Sequence, residues 1–328
     1  MTLSLTFLGG AGTVTGSKYL LDNGEHRILI DCGLFQGYKA LRLKNWAPLP
    51  VDPHKIGAVL LTHAHLDHSG YLPLLINRGY RGQVFCTAAT QDLCGILLPD
   101  SGHLAERDAD FANRAGFSKH KPALPLYTEE DALRALDFLK PVPFDVVQKI
   151  PGGATARFRH AGHILGAASI ELEWEGKRIV FSGDLGRYDD PIMFDPEEMN
   201  EADYLLVEST YGDRVHGAVD PKQVLAEIVN RTVKRGGTVL IPSFAVGRSQ
   251  SLLFHLSRMK AAGLIRPDLP VFLDSPMAIK ASDILARHPR DHRLTSEQSK
   301  ALAAVAHYVR TGDESRELTA NPMPKIII

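Results

Sequence analysis

Ala58-Val59-Leu60-Leu61-Thr62-His63-Ala64-His65-Leu66-Asp67-His68 is the stretch on which the fold turns. Its apolar opening reads as a buried strand, and His63 and His65 follow the strand's end. In extended backbone, residues two apart point to one side, so these two imidazoles can grip one metal ion. Asp67 and His68 come just after the turn and can face a second ion. The pattern differs from HExxH, in which histidines four apart share one helix face around a single ion. Three histidines and an aspartate this close behind an apolar strand mark a metal site rather than isolated structural histidines.

A hydrolytic site needs further ligands, because each ion must be held firmly while a water position stays open. Ala161-Gly162-His163-Ile164-Leu165-Gly166 sets a histidine in a glycine-flanked loop before a strand, and Ser182-Gly183-Asp184-Leu185-Gly186 sets a carboxylate just after one. His163 and Asp184 are therefore expected at the site, with Asp184 bridging two ions, most naturally zinc, about 3.5–4 Å apart. Such a pair shares a hydroxide, lowers its pKa and neutralises charge on the attacked group, which suits phosphoryl and acyl substrates alike. Asp31, closing the strand Ile28-Leu29-Ile30, is placed to orient a ligand imidazole, with a capping turn as the alternative. Gly9-Gly10-Ala11-Gly12-Thr13-Val14-Thr15-Gly16 is no dinucleotide loop: Thr15 stands where the third glycine belongs, and a strand follows instead of a helix. It reads as a tight turn beside the metal site.

Around this centre, the first 208 residues read as short strands with helices over them. The strands run from Leu3 to Leu8, Lys18 to Asp22, Arg27 to Asp31, Ala58 to Thr62, Ile170 to Trp174, Arg178 to Ser182 and Tyr204 to Glu208, and the helices from Leu93 to Asn113 and Glu129 to Leu139. From about residue 209 the rhythm changes to alternating helix and strand, which implies βαβ units and a mostly parallel sheet. Helices are expected over Pro221 to Arg235 with Asp220 as N-cap, Ser249 to Ala262, Ala278 to Ala286 and Ser296 to Thr311, with strands at Thr238 to Pro242 and Val271 to Asp274. Leu252, Leu253, Leu256 and Met259 make a helical apolar stripe that belongs to the core. Lys325-Ile326-Ile327-Ile328 reads as the start of a buried strand at which the chain stops, so a truncation inside a domain is expected.

Composition excludes several classes. Hydrophobic residues at 44% and charged residues at 23% are those of an ordinary globular chain, which rules out disorder. No apolar run approaches the length of a membrane span and Met1-Thr2-Leu3-Ser4 is no secretory signal, so a cytoplasmic place with no membrane partner is expected. Cys32, Cys86 and Cys94, odd in number and without CxxC spacing, are expected as buried, reduced thiols. The net charge of −1 conceals opposed halves: 20 Lys+Arg against 27 Asp+Glu up to residue 208, then 17 against 11. One half can supply acidic ligands while the other faces a polyanion; two ordinary solvated surfaces remain the alternative.

HxHxDH with a distant His and Asp resembles the metallo-β-lactamase fold family. Glu208-Ser209-Thr210-Tyr211-Gly212-Asp213-Arg214, Ile241-Pro242-Ser243-Phe244-Ala245-Val246-Gly247-Arg248 and Asp274-Ser275-Pro276-Met277-Ala278 narrow the likeness to its β-CASP branch, which consists largely of nucleases. Leu98-Pro99-Asp100-Ser101-Gly102-His103 and Pro125-Leu126-Tyr127-Thr128 match as well, so the resemblance covers essentially the whole chain. It implies an α/β fold: an αββα sandwich over residues 1–208 with an inserted, Rossmann-like β-CASP domain over 209–328, the last part missing, and RNA entering a cleft between them. It further implies that His63, His65 and His163 hold one zinc, that Asp67 and His68 hold the second, that Asp184 bridges and that Asp31 supports. Glu208 would lie by the scissile phosphate and help protonate the leaving oxygen. The family completes its second zinc with a histidine motif beyond the final strand, so that site is expected to be incomplete here.

The reading that follows is a zinc-dependent ribonuclease in RNA processing or decay, acting on single-stranded RNA, with endonuclease and exonuclease modes and a homodimer all left open. A catalytically silent RNA-binding subunit is one alternative; a thioester or lactone hydrolase is another, disfavoured by the basic second half. Arg248 and Ser243 are candidates for phosphate contacts at strand ends, with helix capping and polar turns as the plainer accounts. Ser275 is expected to be a polar turn, His103 and Glu106 structural hydrogen-bonders, and His288, His292 and His307 surface residues, while His216 is left unassigned.

Overall fold

The computed structural model describes residues 3–215 and 220–328; His216 lies outside them. The chain divides into two compact units. The first is Met1–Tyr188 with Phe194–Thr210, and the second is Asp189–Met193 with Tyr211–Ile328. No helix among the described residues is long and apolar enough to cross a membrane.

The first unit contains two sheets. One has six strands in sequence order: β1 (Ser4–Gly9), β2 (Lys18–Asp22), β3 (Arg27–Ile30), β4 (Ala58–Leu60), β5 (Gln83–Thr87) and β6 (Leu139–Val142). The first three are antiparallel and the last four parallel. Five helices fall among them: α1 (Lys39–Leu43), α2 (Leu66–Ser69), α3 (Leu72–Asn77), α4 (Ala88–Ala115) and α5 (Glu129–Leu136). The other sheet holds β7 (Gln148–Ile150), β8 (Ala154–His160), β9 (Ala168–Trp174), β10 (Lys177–Phe181) and β11 (Tyr204–Leu206), antiparallel except for the β10–β11 pair.

Alternation explains how these two sheets stack. In β8 and β9, Ala154, Ala156, Phe158, Ile170, Leu172 and Trp174 turn inward, meeting Leu21, Ile28, Ile30, Leu60 and Phe85 of the six-stranded sheet in one buried core. Each large side chain so buried contributes about 1.5–3 kcal/mol. The opposite face of β8 and β9 carries charge instead, with Arg157 directly across from Glu171 and Thr155 across from Glu173. The three cysteines are free and buried, as composition suggested.

The second unit holds one parallel sheet made of β12 (Val239–Leu240), β13 (Val271–Leu273), β14 (His307–Tyr308) and β15 (Ile326–Ile327), in the order β12-β15-β13-β14. Its helices are α6 (Pro221–Lys234), α7 (Arg248–Ala261), α8 (Pro276–Arg287), α9 (Ser296–Ala304) and α10 (Gly312–Ala320). Asp220 caps α6 by accepting from the Lys222 amide, as its position before Pro221 indicated. The apolar stripe of α7 joins Val229, Val239, Val271 and Ile326 through Leu256 and Met259.

Two expectations need correction. The helix expected from Ser296 to Thr311 stops at Ala304, because His307 and Tyr308 pair with Phe272 and Leu273 as a strand. The final strand is buried as expected: Ile326 sits between Val239 and Val271, hydrogen-bonded on both sides. His292 is buried, its ring nitrogens engaged by the Leu285 carbonyl and the Leu294 amide, so it is structural rather than a surface residue.

Candidate metal centre

The residues expected at the metal site each follow a strand. Asp31 comes directly after β3, the run His63 to His68 follows β4, His163 follows β8, and Asp184 follows β10. The Thr62 carbonyl accepts from the Ala168 amide at 2.8 Å, joining the loop after β4 to the start of β9 in the other sheet. Gly183, at φ +57°, allows the turn into Asp184; a Cβ there would stand 2.8 Å from the Thr62 Cβ.

Four donors converge. One nitrogen from each of His63, His65 and His163 and one oxygen of Asp184 all lie within 4.8 Å of one another. His65 Nδ1 is 3.1 Å from His63 Nε2 and 3.2 Å from His163 Nε2, while Asp184 Oδ2 is 3.5 Å from His163 Nε2 and 3.7 Å from His63 Nε2. A tetrahedral ion bound at about 2.0–2.1 Å needs donor–donor edges of roughly 3.3 Å. The set therefore fits a divalent ion in both chemistry and spacing.

Protonation suits the same purpose. Burial, reinforced by neighbouring imidazoles, pushes His63 well below the usual histidine range; burial takes His65 down to about 3 and lowers His163. All three are neutral, the form that offers a lone pair. The tautomer of His63 follows from its partners. Thr62 Oγ1 gives its single proton to the Asp31 carboxylate at 2.9–3.0 Å, so at 3.1 Å it can only accept from His63 Nδ1, which leaves Nε2 free to ligate.

His68 and Asp67 stand outside the four-donor set. His68 Nδ1 donates to Asp31 Oδ2 at 2.8 Å, and its Nε2 faces Asp184 Oδ1 at 3.2 Å. Burial opposes a charge on His68, but Asp31 and Asp184 outweigh it and hold the imidazole well above its usual range. Burial also works against charge on Asp184, but the His68 hydrogen bond and the electrostatic pull of His68, His163 and His65 together outweigh it, drawing the carboxyl down to about 2. One Asp184 oxygen thus turns to the histidine cluster and the other to His68. Asp67 is half-buried on α2, raised by burial and exchanging electrostatic influence with His68, Asp184 and Asp31.

Asp31 occupies the left-handed region at φ +57°, a position that costs a non-glycine residue of order 1–3 kcal/mol. Its surroundings fix it there. Its carboxylate accepts from the Thr62 amide at 2.7 Å, the Thr62 hydroxyl and His68, while its own amide donates to the Leu60 carbonyl. Glu208 is likewise tied to backbone, accepting from the amides of Leu185 and Thr210 at 3.2 and 3.0 Å, and its charge reaches His163. Thr62 and Ser182, whose hydroxyl accepts from the Glu208 amide, join the site without having been singled out beforehand; only their places next to His63 and Asp184 could have flagged them.

In the second unit, Arg248 opens α7 with its guanidinium over the Phe244 ring at 5.4 Å, exposed to solvent, and the Ser243 hydroxyl donates to the Ile241 carbonyl. Asp274 accepts from Ser315, and Ser275 caps α8. Glu106 accepts from the Glu129 amide and His103 faces the Glu129 carboxylate, so both brace the start of α5.

Comparison with known proteins identifies the family. The Beta-lactamase superfamily domain matches residues 26–236 and the Beta-Casp domain residues 249–328. The chain is 37% identical to Ribonuclease TTHA0252 of Thermus thermophilus, over 98% of this chain and 70% of that protein. It is 33% identical to Transcription termination factor FttA of Methanosarcina mazei over 99% of its own length, and 31% identical to Endoribonuclease YSH1 of Eremothecium gossypii over 84%. It spans 51% of the termination factor and 36% of the endoribonuclease. With both domain matches in sequence and the donor cluster at the strand ends of the first, the chain belongs to the β-CASP family of metallo-β-lactamase-fold nucleases.

Proposed function

We propose that this chain hydrolyses RNA phosphodiester bonds at a two-zinc centre. The observation that carries the proposal is the convergence of His63, His65, His163 and Asp184 at the spacing of a tetrahedral ion. Asp184 extends it, since its second oxygen turns away from that cluster toward His68. His63, His65, His163 and Asp184 would hold one ion; Asp67, His68 and the other Asp184 oxygen would hold the second, more weakly for having one donor fewer. Bound divalent ions supply a lowered pKa for water and neutralisation of phosphoryl charge.

The protein's own groups orient that chemistry. Asp31 fixes the ring of His68, and Thr62 fixes that of His63. Glu208 holds the Asp184 loop through the Leu185 amide, so donating a proton to a leaving oxygen would require it to release a backbone bond. The basic balance after residue 208 supports a polyanionic substrate, with Arg248 a candidate phosphate contact and Ser243 a weaker one, since its hydroxyl is already spent on Ile241.

The test is cleavage of single-stranded RNA by zinc-loaded protein, with chelation and His163→Ala or Asp67→Ala as controls. Metal-dependent cleavage lost in both variants is expected. A fully zinc-loaded chain that leaves RNA intact would sink the proposal, and hydrolysis of thioesters or lactones in its place would redirect it to small molecules.

A further inference from the structure

Lys18, the first residue of β2, is 2% exposed. Its ammonium donates to the carbonyls of Gly16, at 3.1 Å, and Gly33, and lies over the rings of Phe35 and Tyr71 at 4.6 and 4.9 Å. Cations share those rings: Lys44 stands over Phe35 and Arg78 over Tyr71. No carboxylate among the described residues pairs with it. Burial accordingly pushes Lys18 down to about 8. A buried ammonium without a counter-ion costs stability, so its presence calls for a reason beyond packing.

The two carbonyls supply one. Gly16 and Gly33 lie in separate loops that meet where the Gly33 amide donates to Ser17. From these loops the Leu34, Ser17 and Cys32 amides reach the three successive carbonyls of Leu66, Asp67 and His68, at 2.8, 2.9 and 2.7 Å. The approach is so close that a Cβ on Gly33 would stand 1.6 Å from the Asp67 carbonyl oxygen. We infer that Lys18 is a positioning residue for half of the metal centre: by tying Gly16 to Gly33 it sets the backbone from which Asp67 and His68 project. His163 and Asp184 come from other loops and do not depend on this tie. The inference rests on the two-ion reading above.

The test titrates metal-free protein with Zn2+ against a competing chelator. Lys18→Met removes every donor, and Lys18→Gln keeps two amide protons without the charge. The unaltered chain is expected to take one tight and one weaker equivalent. Lys18→Met should weaken the second about tenfold or more, the scale of an outer-partner loss, leave the first within about threefold, and be partly rescued by Lys18→Gln. Two unchanged affinities would overturn the assignment, as would equal loss of both, the mark of a merely loosened fold. A single equivalent in the unaltered chain would sink the two-ion reading and the assignment with it. Should the variants not fold, hydrogen exchange on the unaltered protein decides: the Ser17, Cys32 and Leu34 amides must be protected, and exchange at open-loop rates removes the brace.

Discussion

The two halves of the proposed two-ion centre are built in different ways. His63, His65 and His163 form a close cluster of neutral imidazoles whose donors already sit at ligand spacing with one oxygen of Asp184. Asp67 and His68 ride on α2, a single short helix held by backbone hydrogen bonds and by Asp31. The first half is defined by its ligands, and the second by what stands behind them. Ligand loss should therefore dominate on one side and loss of support on the other.

Asp184→Asn breaks the comparison most completely, because Asp184 alone serves both halves. Both ions should weaken, and RNA cleavage should fall roughly a thousandfold, the several kcal/mol that metal charge stabilisation contributes; metal content and single-turnover rates measure this, and a variant still holding either ion at its original affinity would contradict it. His163→Ala acts on the cluster alone. Its expected effect on the tight ion exceeds the roughly 10- to 100-fold of an outer-partner loss, readable by chelator competition.

Asp31→Asn sharpens the comparison from the other side. An amide cannot accept from both Thr62 and His68 as the carboxylate does, so the weaker ion should lose about 10- to 100-fold in affinity while the tight ion changes much less. Equal losses at both sites would show that the halves are not separately supported. Thr128→Ala is the smallest change: it removes the capping box of α5, away from the centre, and should lower stability by about 1 kcal/mol in thermal unfolding with both metal affinities intact.

The four-donor cluster was legible in the sequence where its residues are closely spaced or glycine-flanked, as in His63, His65, His163 and Asp184. Thr62 was not, because its role depends on Asp31 being brought beside it by the parallel pairing of β3 with β4. Lys18 was hidden for the same reason, since Gly33 reaches it only through the folded loops. In the fold, β9 announced itself through Ile170, Leu172 and Trp174, whereas β5 to β8 escaped notice. Pro141 stands within β6, β7 has three residues, and the facing charges of β8 gain meaning only across from β9. Helix periodicity ran on past Ala304 because nothing local announces that residues 307 and 308 pair with β13; tertiary context overrode propensity there.

The order β12-β15-β13-β14 also governs assembly in time. Val239 and Val271 meet the same residue, Ile326, from opposite sides, so β12 and β13 have no direct partnership with each other. During synthesis both strands leave the ribosome well before the one that joins them. The parallel sheet of the second unit must then wait with a gap at its centre, its apolar edges in the care of α6 and α7, until residues 326 and 327 arrive to close it.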